Sequence, residues 1–204
     1  SATVGNAPEI ADWLDAELVA SDWRPVELKT GVYAEETAVF DDGEQRDIPT
    51  GGDQPAIALA RDAIENGGQC LVFVSSRRSA QALADDLGEE FLDDAAEVAE
   101  ELRLLATTGT GTDLARSAAN AVAFHHAGLS ADQRRVVEDA FRDRELKVIV
   151  ATPTLAAGVN VPARRVVVRD HERYDGDGMA PLPVLEVHQM CGRAGRPHLD
   201  PYGE

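Results

Sequence analysis

The sequence predicts an α/β fold with a parallel sheet flanked by helices. Four short runs carry apolar residues throughout, at 71–74, 122–124, 148–151 and 166–168. Strands that are apolar on both faces are typical of buried parallel sheets. Helical patterns lie between these runs, and a chain that alternates strand with helix favours a parallel sheet. The length of 204 residues allows one large domain, or one domain with an appendage.

The first 50 residues predict a smaller element. A short amphipathic stretch is followed by alternating runs near 26–33 and 37–40, which indicate a two-stranded element. A polar, glycine-rich linker at 50–53 then leads into a helix, with Asp53 as its expected cap, Pro55 in its first turn and a stop at 67–68.

Helices continue through the middle of the chain. Apolar spacing predicts them around 80–87 and 91–102, and Ser130 with Gln133 forms a capping box that opens another. The range 107–112 is rich in Gly and Thr and is expected to be a loop.

The charge is strongly acidic and unevenly distributed. Asp and Glu total 37 against 19 Lys and Arg, for a formal net charge of −18, and 17 of the 19 cations are Arg. Such a surface is typical of adaptation to a salt-rich cytoplasm, and an alternative is an acidic protein with a basic partner. Residues 1–123 carry −17 and residues 124–198 carry +1, so an anionic ligand is expected in the later segment.

Several classes of protein are disfavoured. Two cysteines make no disulfide scaffold, and Cys70 lies in an apolar run, where a reduced core thiol is expected. The chain has neither an apolar stretch of membrane-spanning length nor a leader, so we expect a cytoplasmic protein with no membrane contact. The adjacent His125 and His126 are weak candidates for a metal site, because neighbours in a strand point to opposite faces. A G-x-x-x-x-G-K-[ST] loop is absent, so this chain alone cannot activate a nucleoside triphosphate.

Polar residues follow the predicted strands, and ligands of parallel sheets bind at the carboxyl ends of strands. Ser76, Arg77 and Thr152 stand at such ends, either as phosphate ligands or as ordinary caps. Arg193 and Arg196 are three residues apart, on one face if the segment is helical, with Gly192 and Gly195 removing bulk beside them. Paired guanidinium groups suit phosphate oxygens, and surface salt bridges are an equally weighted alternative.

Two Asp-Gly dipeptides lie between Tyr174 and Met179, a pattern that signals a β-hairpin. The residues alone favour a plain connecting loop instead, because Pro181 and Pro183 limit strand pairing.

The motifs resemble a known family. The ranges 71–87, 124–129, 148–162 and 187–197 resemble motifs IV, IVa, V and VI of superfamily 2 helicases, and Ser1-Ala2-Thr3 matches the coupling motif III. They are most similar to archaeal Ski2-like DNA helicases of the Holliday-junction-migration type, related to the helicase part of DNA polymerase theta. The resemblance implies a RecA-like fold with a hairpin insertion. It also implies that residues 1–50 are the tail of a first RecA-like domain plus a connecting segment, and residues 51–204 a second one with its C-terminal strand truncated.

The resemblance also implies a role for each candidate residue. Arg193 and Arg196 would be arginine fingers that act on ATP, and Gln189, Gly158 and Asn160 would bind the nucleotide. Ser76, Arg77 and Thr152 would hold phosphates of the DNA strand, while Tyr174 and Met179 would form a strand-separating hairpin tip. Asp170 and Glu172 depart from expectation, because they place acids where nucleic acid should pass.

The resulting hypothesis is the motor half of an ATP-dependent 3′–5′ DNA helicase in DNA repair and fork processing. Its partners would be single-stranded and forked DNA and the first RecA-like domain of the same polypeptide. ATP and Mg²⁺ would be required, with Mg²⁺ held by that first domain, and this chain should be inactive alone. The alternatives are a Ski2-type RNA helicase and a non-catalytic nucleic-acid-binding module.

Overall fold

The structure is a computed structural model that describes residues 6–21, 23–91, 94–155, 161–174 and 176–204. The predicted site residues Ser1, Ala2, Thr3, Gly158 and Asn160 lie outside the described residues.

A small antiparallel sheet precedes the parallel one. Helix α1 (Ala7–Trp13) and strand β1 (Glu27–Leu28) come first. The sheet itself consists of Gly31–Ala34 (β2), Thr37–Phe40 (β3) and Gln45–Asp47 (β4), which pair in that order. The element therefore has three strands instead of the predicted two. Strand β4 has no apolar alternation to reveal it, and it forms because a turn at Gly43 folds it back onto β3.

The four predicted parallel strands are confirmed. They are Cys70–Phe73 (β5), Val122–His125 (β6), Val148–Ala151 (β7) and Arg165–Val168 (β8), in the order β6–β7–β5–β8. Every residue of β5, β6 and β7 is buried, as the uniformly apolar runs predict. Ala151 pairs with both Phe73 and His125, and Phe73 pairs with Val168, so the strands end at the same level.

In the described part of the chain, the helices that lie between the small sheet and β8 are Pro55–Glu65 (α2), Arg77–Glu90 (α3), Ala96–Leu104 (α4), Gly109–Ala118 (α5) and Ala131–Arg142 (α6). The capping box at the start of α6 is confirmed, since Ser130 Oγ accepts the Gln133 N–H at 3.1 Å and Gln133 Oε1 accepts the Ser130 N–H at 3.0 Å. No helix within the described ranges is both long enough and apolar enough to span a membrane.

Three local predictions about helices are wrong. Gln54, not Asp53, precedes the first turn of α2, because the Asp53 carboxylate pairs with Arg61 instead. Helix α4 begins at 96 and not near 91. Within the range 107–112, residues 109–112 form the first turn of α5 and are not a loop, because Thr108 Oγ1 accepts the Gly111 N–H at 3.2 Å and caps the helix.

A β-hairpin follows strand β8, as the family resemblance implies. Strands Glu172–Tyr174 (β9) and Met179–Pro181 (β10) pair antiparallel. The connecting loop favoured by the residues alone is therefore wrong. Pro181 is tolerated because it occupies the last position of the ladder, opposite Glu172.

The last strand of the chain pairs with the first one. Helix α7 (Val184–Cys191) leads through a turn to strand β11 (Tyr202–Gly203), which pairs parallel with β1. Backbone bonds also join Glu204 to β8, since Glu204 donates to Arg164 O at 3.0 Å and accepts from Val166 N at 2.7 Å. Part of the segment 1–50 thus packs against the last residues of the chain and, through Glu204, lies beside β8.

Candidate functional site

The loops after β5, β6, β7 and β8 lie at one edge of the parallel sheet, because the four strands run in the same direction and end in register. Ser76, Arg77 and Thr152 belong to this edge. Polar groups converge there as the sequence predicts.

Ser76 and Arg77 begin helix α3. Ser76 Oγ accepts the Ser79 N–H at 3.0 Å and lies 2.8 Å from Ser79 Oγ, so Ser76 is a helix cap. Arg77 is exposed in the first turn, where unpaired backbone N–H groups and the helix dipole favour an anion. The predicted phosphate contacts of both residues stay predictions.

Thr152 joins two neighbouring strands. It is buried, its N–H donates to His125 O at 3.2 Å, and its Oγ1 lies 3.0 Å from Thr154 Oγ1. The hydroxyl is thus engaged within its own loop, and its predicted phosphate contact stays a prediction.

His126 and Gly128 also lie at this edge, in the loop after β6, although the sequence analysis gave them no binding role. The His126 ring stacks on Phe124 with centroids 5.3 Å apart, and its Nδ1 accepts the Gly128 N–H at 3.1 Å. A Cβ on Gly128 would stand 3.0 Å from this Nδ1 and 3.4 Å from Arg77 Nη1. Glycine therefore lets Arg77 lie close to the turn. The signal in the sequence is Gly128, two residues after the histidine pair. The pair itself suggested only a metal site.

Both histidines favour the neutral form. Burial lowers the pKa of His126, and the charge of Arg77 acts in the same direction. Burial also lowers the pKa of His125, although its Nε2 lies 2.9 Å from Glu138 Oε1. Among the residues that the structure describes, no cluster of three or more His, Cys, Asp or Glu side chains could hold a metal ion.

Asp170 is one of the two acids that were not expected at this edge, and its hydrogen bonds explain its presence there. Its carboxylate accepts the Ser75 N–H and hydroxyl, each at 2.8 Å, and pairs with Arg169. Burial acts to raise the pKa of Asp170, but these hydrogen bonds outweigh it and the pKa lies below its usual value. Asp170 therefore ties the end of β8 to the loop that carries Ser76 and Arg77.

Arg193 and Arg196 do not share a helical face, because helix α7 ends at Cys191. They lie in a loop that is hydrogen-bonded to the segment before β8. The Ala163 N–H donates to Arg193 O at 3.0 Å, and Ala163 O accepts the Gly195 N–H at 2.7 Å. Gly195 has φ +89°, and a Cβ there would stand 2.8 Å from Val26 Cγ1. Its small size makes room for Val26 and not, as predicted, for the arginines.

Arg196 is locked inside the domain. Its side chain is 6% exposed, its Nε and Nη2 donate to the two carboxylate oxygens of Asp200 at 2.8 and 2.6 Å, and its Nη1 donates to Gln69 Oε1. Burial acts to raise the pKa of Asp200, but the bonds from Arg196 lower it overall. The predicted finger role of Arg196 stays a prediction, and it would require this side chain to leave Asp200.

Arg193 is the more accessible of the two. It is half-buried, and this burial lowers the pKa of its guanidinium, which marks a partly desolvated cation. Gln189 is also partly exposed, on the last turns of α7. A partly desolvated guanidinium attracts a phosphate oxygen more strongly than a fully hydrated one does.

A cavity of about 680 Å³ lies elsewhere, between β8, α2 and the small sheet. Its lining is mainly apolar and includes Tyr33, Phe40, Leu59 and Val167. None of the predicted site residues lines it.

The parallel sheet, its flanking helices and the polar edge define a RecA-like α/β domain. The chain belongs to the family described as the helicase conserved C-terminal domain, whose family model matches residues 56–198. Three relatives are described as ATP-dependent DNA helicase Hel308. Those from Methanocella arvoryzae, Pyrobaculum calidifontis and Pyrococcus abyssi are 47%, 51% and 46% identical to the whole chain, which covers 29%, 30% and 28% of them. The chain thus spans about three tenths of the length of these relatives.

Proposed function

We propose that this chain is the second motor domain of an ATP-dependent 3′–5′ DNA helicase that acts in DNA repair and fork processing. The family assignment and the description of its relatives as ATP-dependent DNA helicases support this proposal. The observation that carries it is the loop 193–196, in which Arg196 is buried against Asp200 and Gln69 and Arg193 is partly exposed.

In this proposal Arg193 supplies positive charge to the phosphates of ATP, the substrate, bound by a first RecA-like domain of the same polypeptide. Such a guanidinium acts on the charge that develops in the transition state. Arg196 holds the loop in place in the described arrangement and would be a second finger only after release from Asp200. Gln189, with Gly158 and Asn160, would line the nucleotide. Mg²⁺ would be held by the first domain, since the described residues offer no suitable cluster of acids.

The polar edge of the sheet would hold the DNA strand. Arg77 and the N-terminus of α3 favour phosphate oxygens, and Ser76 and Thr152 stand beside them. Such contacts position a strand without reading its sequence. The exposed hairpin tip would then meet the base pair at the junction of forked DNA, where Tyr174 and Met179 replace lost stacking with their own contacts.

The test is Arg193→Ala in a complete helicase that contains this chain. We expect ATP turnover to fall by about 10³-fold, as for arginine fingers elsewhere. Binding of single-stranded DNA should stay within about twofold, because Arg193 acts on the nucleotide. Arg103→Ala is the matched control, since Arg103 forms an exposed pair with Glu100 on α4. A loss confined to DNA binding would show that the loop holds nucleic acid instead.

The Arg196→Ala variant distinguishes the role of Arg196 from that of Arg193. We expect a comparable loss of ATP turnover, accompanied by a lower melting temperature, because Asp200 would be left buried without its partner. An Arg196→Ala variant with unchanged melting temperature and lost turnover would support Arg196 as a finger in its own right.

The isolated chain should release no phosphate from ATP above background, with or without single-stranded DNA. Turnover of about 1–100 s⁻¹, as in phosphoryl-transfer enzymes, would contradict the proposed division between two motor domains. A comparison of DNA and RNA duplexes as substrates of the complete helicase distinguishes the DNA helicase from a Ski2-type RNA helicase.

The hairpin is tested by replacing residues 174–180 with a two-residue turn in the complete helicase. DNA-stimulated ATP turnover should persist while strand separation is lost, because opening each stacked step costs about 1.4 kcal/mol that the tip no longer offsets. Unwinding near the unmodified rate would show that the hairpin is only a connector.

A further inference from the structure

The hairpin is attached to the domain at its base. It emerges from β8 through Asp170 and His171, and the Leu182 N–H donates to His171 O at 2.8 Å, which closes the base. Leu182 itself is buried in the core. The two ends of the hairpin are therefore fixed, whereas Tyr174 and Met179, next to its turn, are exposed.

Among the described residues, the Arg173–Glu186 side-chain pair connects the hairpin to helix α7. Arg173 lies in β9, and its Nη1 and Nη2 donate to Glu186 Oε2 and Oε1 at 2.7 and 2.9 Å. Two parallel bonds between planar groups fix an orientation as well as a distance. The pair therefore constrains the direction in which the hairpin points relative to α7.

Helix α7 leads from this pair to the arginine loop. Glu186 lies in its first turn, Met190 near its end is fully buried, and the Arg193 N–H donates to Met190 O at 2.9 Å. A short, anchored helix moves as a unit. A displacement of Arg193 would thus be transmitted to Glu186, and from there to Arg173.

The opposite end of the hairpin base contacts the DNA-facing edge. Asp170 accepts both the N–H and the hydroxyl of Ser75, the residue before Ser76. The hairpin is thus held between the loop 75–77 and helix α7.

The hairpin tip carries an exposed apolar pair. Tyr174 and Met179 stand opposite each other in the ladder, and they are 69% and 63% exposed. Such a tip can separate bases only if its direction is maintained against the load of the duplex.

We propose that Arg173 and Glu186 are positioning residues that hold the hairpin to α7, so that strand opening is coupled to ATP turnover. This inference rests on the proposed function. The side chains of the pair are 39% and 28% exposed, so the pair contributes little to global stability and its loss should leave the domain folded. Its contribution is to fix the direction in which the hairpin points relative to α7.

The experiment uses Arg173→Ala, Glu186→Ala and the charge exchange Arg173→Glu/Glu186→Arg in a complete helicase that contains this chain. The readout is base pairs opened per ATP hydrolysed on a forked DNA, measured with DNA-stimulated ATP turnover and the melting temperature. We expect each single variant to lower base pairs opened per ATP by about fivefold, with turnover within about twofold, and the exchange to restore much of the loss. Arg103→Ala, from the exposed Arg103–Glu100 pair on α4, is the control that should change neither quantity.

Two results would overturn the inference. Unchanged base pairs per ATP in both single variants would show that the pair does not position the hairpin. A parallel fall in ATP turnover and unwinding, without rescue by the exchange, would show that the pair supports only the Arg193 loop. Failure of the proposed function is distinguishable, because the unmodified helicase would then open no duplex, or the truncated hairpin would leave unwinding intact.

Discussion

The two sheets of this chain are stabilised by different forces. Strands β5, β6 and β7 are buried on both faces, and the surrounding core contains Phe73, Phe124 and Phe141, each almost fully buried. The small sheet of β2, β3 and β4 has only a modest apolar cluster, in which Ala38, Phe40 and Ile48 pack against Ala58 of α2. Burial of apolar side chains therefore stabilises the parallel sheet, whereas the small sheet buries few of them.

Charged groups attach the small sheet instead. Glu204 accepts Arg165 Nε at 2.7 Å and Arg46 Nη1 at 2.6 Å, so one carboxylate joins β4 to β8. Arg165 also pairs with Asp62, and the Arg46 guanidinium lies 5.2 Å from the centre of the Phe40 ring. This acidic chain thus uses arginine–carboxylate pairs where its apolar surface is insufficient.

The largest expected effect is a cavity in the parallel-sheet core. Phe124→Ala should lower the free energy of unfolding by about 3–5 kcal/mol, because Phe124 is fully buried and its truncation leaves a cavity in the core. Phe40→Ala is the matched change in the small sheet, and it should cost about half as much since the cluster there is smaller. Urea denaturation measures both, and equal losses would contradict the difference between the sheets.

The next effect concerns the charged attachment. Glu204→Gln should lower the free energy of unfolding by about 2–3 kcal/mol, because two guanidinium groups lose their carboxylate while the amide keeps some hydrogen bonds. Glu100→Gln on α4 breaks an exposed pair with Arg103 and should stay within about 0.5 kcal/mol. If the two variants lose the same stability in urea, the ion pairs do not attach the small sheet.

The same carboxylate predicts a pH dependence. Burial acts to raise the pKa of Glu204, but Arg165 and Arg46 outweigh it, so the folded pKa lies below the ordinary value of 4.5. A lowered folded pKa gives stability that is fully present above pH 4.5 and is lost as pH falls through the folded pKa. The free energy of unfolding, measured in urea from pH 7 downward, should therefore fall more steeply below pH 4.5 for the unmodified chain than for Glu204→Gln. Parallel curves would place the acid sensitivity in other groups.

The smallest expected effect is that of salt. Residues 1–123, which include the small sheet, carry −17, and their repulsion should be screened as the Debye length falls to about 3 Å at molar salt. The buried Arg165–Glu204 pair is little screened, so thermal melts from low to molar KCl should show rising stability. A flat response would remove the argument for salt adaptation and favour a basic partner.

Local pattern determined most of the fold. The four parallel strands, the capping box at Ser130 and the positions of the strand-end loops follow from residues within a few positions of one another. Burial on both faces of a strand and hydrogen bonding at a helix end are short-range requirements, so they are visible in the sequence. The hairpin was different: its Asp-Gly dipeptides signalled paired strands, its prolines favoured a loop, and the family resemblance decided for the strands.

Tertiary structure alone decided what the charged side chains do. Nothing local shows that Arg196 reaches Gln69, that Asp170 caps the loop at Ser75, or that Glu204 joins Arg46 to Arg165. An arginine can bind a phosphate or a carboxylate equally well, and the choice depends on which group the folded chain brings within about 3 Å. That distance is set by strands and loops far apart in sequence. The arginine pair was therefore recognisable in the sequence, but the burial of Arg196 and the partial exposure of Arg193 were not.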